Sequence, residues 1–324
     1  MRLAVLGAGA VGRSVAELAS EYGHEVTALS DSSSAAVDAD GVDVEAALTR
    51  KEAGEPLGGA APGDALAAEY DALVEATPTT LGDAEPGYSH VRTALERDRH
   101  VVLANKGPVA ERYADVRGLE ADSDGEVYFE ATVGGAIPVC ATVDDLGARH
   151  VSAVRGVLNG TANFVLSRMA AEGLDYDHVL AEAQDLGVAE ADPSFDVEGT
   201  DAALKCVIVA NVLREADCDS VAQLRERAVT LADAEVAGIR DVPGSALELA
   251  AEDGRTVRLV GEATREGVRV GPRLVPENGT LAVTGTRNIV EIDHEYAGGL
   301  AISGRGAGGE ETASAVLADV ARLE

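Results

Sequence analysis

Apolar residues fill Arg2 to Leu6 almost without interruption, which predicts a buried strand. Gly7-Ala8-Gly9-Ala10-Val11-Gly12 follows at once. Helical spacing then runs from Ala10 to Tyr22, and Val26 to Leu29 predicts a second strand ending at Ser30-Asp31. Residues 32–70 are rich in Ala, Asp and Gly and only weakly periodic. Beyond them the pattern predicts strand Ala72 to Glu75, helix Tyr88 to Arg97, strand Val101 to Leu103, a helix from about Ala110 to Ala121, and strand Val127 to Glu130. Strands alternating with helices indicate a parallel, doubly wound sheet.

The pattern changes near residue 150. Strands are expected at Val151 to Leu158, Val257 to Ala263, Val268 to Val275 and Asn288 to Ile292. Helices are expected from Asn159 to about Ala171, Tyr176 to Leu186, Gly199 to Leu213, the last apolar on one face, and Glu311 to Leu323. Gly298 to Gly309 is glycine-rich and reads as a turn. The expected fold is α/β: a Rossmann-type doubly wound sheet with a second α+β domain for substrate binding and dimerisation. Residues 1–132 with 300–324 form the expected nucleotide-binding domain, and 133–299 the second.

Composition narrows the function. The formal net charge is −31 over 324 residues, which excludes nucleic acid and anionic membrane surfaces as partners. No run of 18 apolar residues and no apolar segment after Met1 is present, so neither a membrane span nor a signal peptide is expected. Cys140, Cys206 and Cys218 lack metal spacing and read as free thiols of a cytoplasmic protein. The six histidines form no metal motif.

Gly7, Gly9, Ala10, Val11 and Gly12 sit between a strand and a helix, and Asp31 follows Gly12 by 19 positions. That context makes the G-x-G-x-x-G run a dinucleotide site, with the pyrophosphate at a helix N-terminus. Asp31 favours NAD through a ribose hydroxyl, whereas Ser32, Ser33, Arg50 and Lys51 suit the 2′-phosphate of NADP.

Lysine is nearly absent: Lys51, Lys106 and Lys205 are the only three among 26 basic residues. Such a chain should keep lysine where a cation must release a proton, which arginine does not do. Lys106 follows a strand in Ala104-Asn105-Lys106-Gly107-Pro108, and Lys205 lies four residues beyond Asp201 on an apolar helix. Both suit acid–base chemistry in a cleft. The stretch Glu190 to Glu198 suits an amino-acid ammonium, although Asp192, Asp196 and Glu198 read as a solvated acidic loop. Backbone carbonyls in the glycine-dense turn Glu130 to Ile137 are oxygen donors suited to a hard monovalent cation.

Together these segments closely resemble homoserine dehydrogenase. The resemblance spans nearly the whole chain, and Glu190 to Lys205 is its most specific part. It implies NAD(P)-dependent interconversion of L-homoserine and L-aspartate 4-semialdehyde, a step toward threonine and methionine. It also implies that Lys205 donates the proton, with Lys106 as a second acid–base or electrostatic group. Glu190 and Asp201 then hold the substrate ammonium, and Thr77 and Gly306 touch the cofactor. The carbonyls of Glu130, Val133, Gly135 and Ile137 match a sodium site, and a homodimer is expected. The chain ends with the catalytic region, so neither a fused aspartate kinase nor an ACT domain is expected. The rival readings are another small amino-acid dehydrogenase, such as aspartate dehydrogenase, and a non-catalytic NAD(P)-binding regulator.

The acid load, the scarce lysine and the 3% aromatic content match a salt-adapted protein. Carboxylate repulsion should destabilise it in dilute buffer. Thermal melting should therefore rise steeply between about 0.1 M and about 3 M KCl, as the Debye length falls from about 10 Å to below 3 Å. A melting temperature that stays flat across that range would refute salt adaptation.

Overall fold

The computed structural model describes residues 1–323. The chain forms two units: Met1–Ala136 with Ala307–Glu324, and Ile137–Gly306.

The first unit is built on six strands: β1 (Arg2–Leu6), β2 (Glu25–Ser30), β3 (Ala35–Val37), β4 (Ala72–Glu75), β5 (His100–Leu103) and β6 (Val127–Tyr128). Their order is β3-β2-β1-β4-β5-β6, that of a dinucleotide-binding sheet. All neighbours are parallel except β3, which runs antiparallel to β2. Continuous apolar strands suit a sheet buried on both faces, and Leu3, Val5, Leu29, Val74 and Val102 lie in one core with Val15, Val316 and Leu317. The last two belong to the terminal helix Gly309–Arg322, which packs on the helix Ala10–Leu18.

Weak periodicity concealed β3 and two short helices, Val44–Glu52 and Pro62–Ala67. Each buries only a residue or two, so little pattern was there to read. The single helix expected at 110–121 is two, Gly107–Glu111 and Tyr113–Ala121, broken at Arg112 with φ −130°. The strand expected to reach Glu130 stops at Tyr128, because the Glu130 N–H donates to Asp319 at 2.8 Å, and a short 3₁₀ turn, Glu130–Thr132, follows.

The second unit holds β7 (Val151–Val157), β8 (Glu235–Val236), β9 (Arg255–Thr264), β10 (Val268–Pro276), β11 (Arg287–His294) and β12 (Gly298–Arg305). Their order is β12-β11-β7-β9-β10-β8, antiparallel except for the β8–β10 pair. β12 corrects the expected glycine-rich turn. Its small residues pair with β11 along the full strand, from Gly298↔His294 to Arg305↔Arg287, and glycine is tolerated on an edge strand. The chain consequently returns to the first unit at Ala307, later than the expected 300.

Helix Thr200–Glu215 packs on β9 and β10 and is buried from Asp201 to Arg214. The apolar residues flanking Asp201 and Lys205 predict a mostly buried helix, as found. Burial all round explains its unbroken apolar run from Cys206 to Ala210. Among the described residues, no helix is long and apolar enough to cross a membrane.

Asp319 supplies a test of the first unit's packing. Its carboxylate is fully buried, accepts from the Glu130 N–H, and pairs with Arg322 at 2.8 Å. Burial pushes its pKa up to about 7, and the Glu130 carboxylate adds to the rise, against the Glu130 N–H and Arg322. The folded state therefore keeps a proton that the unfolded state releases near pH 4. Stability from this group is present below that pH and is lost as pH rises through about 7. Asp319→Asn should gain on the parent by about 2–4 kcal/mol between about pH 4 and pH 7.5. Denaturant melts in molar salt would show it, and a pH-independent difference would refute it.

Candidate active site

In the first unit, the loop after β1 is set by close approach. A Cβ on Gly7, whose φ is +101°, would lie 2.4 Å from the Ala76 carbonyl oxygen. One on Gly12 would lie 1.8 Å from the Gly7 oxygen. Gly9 faces open space, with no atom within 4 Å of its Cβ position, and caps helix Ala10–Leu18 without a side-chain hydrogen bond. Helix Ala10–Leu18 thus starts beside the open space at Gly9, and the first N–H groups of a helix, which have no intrahelical acceptor, make an anion cradle. A diphosphate fits that cradle.

Asp31 lies at the end of β2. One carboxylate oxygen accepts from the Ser33 and Ser34 N–H groups, each at 2.9 Å, and the other pairs with Lys51 at 2.5 Å. Burial raises its pKa, but the Lys51 ammonium and the serine hydrogen bonds outweigh burial and hold it well below the usual carboxylate range. Arg50 turns away and donates to the Leu57 carbonyl.

A buried carboxylate that sequence reasoning left without a role organises the next two loops. Glu75, fully buried at the end of β4, accepts from the Thr77 N–H and hydroxyl and from Asn105 Nδ2 at 3.3 Å. Its other oxygen lies 2.7 Å from His90 Nδ1. Asn105 Oδ1 accepts from the Gly107 N–H at 2.9 Å, and the Lys106 N–H donates to Thr79 Oγ1 at 3.3 Å. Thr77 and Lys106, both expected at the site, thus sit on loops joined through Glu75. The lysine is half-buried at the start of helix Gly107–Glu111.

The second unit brings Asp201 and Lys205 together. Their side chains are buried and 2.7 Å apart, and Lys205 Nζ also donates to the Leu158 carbonyl at 2.7 Å. Asn159, N-cap of helix Gly160–Glu172, donates to Asp201 at 3.0 Å and to Asp196 at 2.7 Å. Asp196 is therefore hydrogen-bonded into the site's surroundings rather than only solvated. Asn288 Nδ2 donates to the same Leu158 carbonyl at 3.0 Å. Gly306 is packed so closely that a Cβ there would lie 1.7 Å from that nitrogen. Glu190 is not brought to this cluster: it is exposed in the loop after helix Tyr176–Asp185, with no side-chain partner among the described residues.

Of the carbonyls expected to bind sodium, those of Glu130 and Ile137 accept from the Val133 and Val139 N–H groups, at 3.1 and 2.9 Å. Gly135 takes φ +55°, where glycine is favoured. Among the described residues, no group of three or more His, Cys, Asp or Glu side chains could hold a metal ion.

Residues 138–321 match the family model described as homoserine dehydrogenase. Residues 1–80 match the model of glutamate/leucine/phenylalanine/valine dehydrogenases. A homoserine dehydrogenase of Methanocaldococcus jannaschii is 36% identical over all of this chain and 98% of its own. The chain belongs to the homoserine dehydrogenase family. A crystal structure of a putative homoserine dehydrogenase from Archaeoglobus fulgidus superposes with TM-score 0.89 at 39% identity, covering 100% of this chain and 99% of that one. A hyperthermophilic archaeal homoserine dehydrogenase in complex with NADPH gives TM-score 0.83 at 26% identity, covering 99% and 96%. This homoserine dehydrogenase family member is thus an NAD(P)-dependent oxidoreductase interconverting L-homoserine and L-aspartate 4-semialdehyde. The aspartate dehydrogenase and regulator readings are not favoured.

Proposed function

We propose that Lys205 is the proton donor of this reaction, and the observation that carries the reading is its buried pairing with Asp201 and the Leu158 carbonyl. NAD(P)H, when bound, supplies the hydride that reduces the aldehyde carbon. The oxygen then needs a proton, which a lysine ammonium can give and a guanidinium cannot. Asp201 fixes the direction of the Nζ–H bonds. Lys106 acts as a second acid–base or electrostatic group. Glu190, exposed with a free carboxylate, is a partner for the substrate ammonium together with Asp201. In this reading the first unit binds nucleotide and the second binds substrate. Gly7, Gly9, Ala10, Val11, Gly12, Thr77 and Gly306 serve the cofactor. Carbonyls of Glu130, Val133, Gly135 and Ile137 are proposed to hold a structural sodium ion, and no chemical step passes through it.

Three further assignments belong to the same reading. The protein works in the cytoplasm of a salt-adapted cell, in threonine and methionine synthesis. It is a homodimer joined through the second unit's sheet. Helices Gly160–Glu172, Thr200–Glu215 and Gly244–Glu252 pack on β9. Strand alternation puts Arg155, ion-paired with Glu262 and Asp293, on the opposite face. That face is the proposed contact, and sedimentation at several concentrations reads it.

Cofactor choice follows from Asp31 and Lys51. Their pairing leaves Asp31 able to meet a ribose hydroxyl and Lys51 able to turn to a 2′-phosphate, so both NADH and NADPH should serve. Lys51→Ala should weaken NADPH about tenfold or more, the scale of a lost charge-assisted hydrogen bond, and leave NADH within about twofold. Equal effects on both cofactors would refute this.

Lys205→Ala should lower kcat by about 10²-fold or more with little change in NAD(P)H affinity, and Lys205→Arg should also be poor. Near-normal turnover would remove Lys205 from the mechanism. Glu190→Gln should raise KM for homoserine well beyond its effect on NAD(P). An unchanged homoserine KM would return Glu190 to the solvated loop.

A further inference from the structure

Asn288 is 1% exposed, yet half of its amide has no partner. Nδ2 donates to the Leu158 carbonyl at 3.0 Å. Because a carbonyl only accepts, that bond fixes which end of the amide is nitrogen and turns Oδ1 the other way. Oδ1 is buried and receives no hydrogen bond. Native folds leave few such acceptors, since a buried oxygen without a donor is costly. The surroundings hold the amide in place. Gly306 leaves no room for a Cβ against it, and β11 is paired to β7 up to Ile289↔Val157, one step before Asn288.

The location gives this deficit its meaning. Lys205 Nζ donates to the same Leu158 oxygen at 2.7 Å, so lysine and amide are seated on one atom. Asn163 also has a buried oxygen without a donor, but its nitrogen ties the carbonyls of Gly285 and Arg287 rather than the seat of Lys205. If the bond to Leu158 were the whole role of Asn288, its oxygen would be expected in water or on a donor within the fold.

We propose that Asn288 is a substrate-binding residue: its Oδ1 accepts a hydrogen bond from an N–H or O–H donor of the amino-acid substrate at Lys205, while its Nδ2 steadies the Leu158 carbonyl. This rests on the reading of Lys205 as the proton donor. Two groups of the substrate carry suitable donors. The ammonium is common to homoserine and aspartate semialdehyde, and the hydroxyl is present in homoserine alone.

The test uses Asn288→Ala and the milder Asn288→Ser in the full chain at molar salt, with thermal melting, NAD(P)H fluorescence titration and kinetics in both directions. KM for homoserine should rise about tenfold, with NAD(P)H affinity unchanged and melting close to the parent. A matching rise for aspartate semialdehyde assigns the ammonium as donor, and a rise for homoserine alone assigns the hydroxyl. Unchanged KM values in both variants would overturn the proposal. So would a loss confined to NAD(P)H affinity, or losses on every ligand together with lowered melting. If Lys205→Ala turns over near-normally, the proton-donor reading fails by itself. Calorimetry of homoserine binding to parent and variants then decides Asn288 alone, with equal affinities overturning it.

Discussion

A buried ion pair constrains the second unit more than any other contact. Lys205 and Asp201 pair at 2.7 Å within a helix whose residues are buried from Asp201 to Arg214. Such charges are tolerable only if both are paired and hydrogen-bonded, and removing one partner typically costs about 3–5 kcal/mol. The partners come from the far end of β7: the Leu158 carbonyl takes the lysine, and the Asn159 amide takes the aspartate. The same asparagine caps the next helix. Strand end, helix cap and buried helix therefore cannot shift independently, and the lysine is held still by the polar contacts that make its burial tolerable.

The first unit reaches the same end by different means. Its glycine loop is held by backbone contact, with Gly7 against Ala76 and Gly12 against Gly7. The loops after β4 and β5 are held by one carboxylate, Glu75, which no water reaches. Close approach leaves room for a ligand, whereas the carboxylate aligns side chains toward one. Both kinds of contact sit at the carboxyl ends of parallel strands, where α/β sheets bind their ligands.

Much of this was legible in the sequence because it depends on local pattern. The apolar runs of β1, β4 and β5 and the strand–glycine–helix junction need no tertiary information. The i, i+4 spacing of Asp201 and Lys205 placed them on one helix face, as found. What escaped notice depends on contacts between distant positions. Glu75 and His90 are 15 residues apart, and Asn288 meets Leu158 across 130. Asn159 was legible as the start of a helix, but its bond to Asp201 has no sequence signature. β12 was lost for another reason: its glycines at 298, 299 and 304 leave only Leu300 and Ile302 to alternate, and its pairing with β11 defines it.

The distribution of lysine also decides how the protein meets amine chemistry. Lys51 and Lys106 are half-buried in the first unit, which also carries the chain's amino terminus. Lys205, the only lysine between Ile137 and Gly306, is 5% exposed. The second unit thus offers no accessible primary amine over its entire surface. Coupling to an activated support, acylation by a reactive ester or crosslinking through amines would engage the first unit alone. The protein would be attached through its first unit, with the unit that holds Lys205 left unmodified.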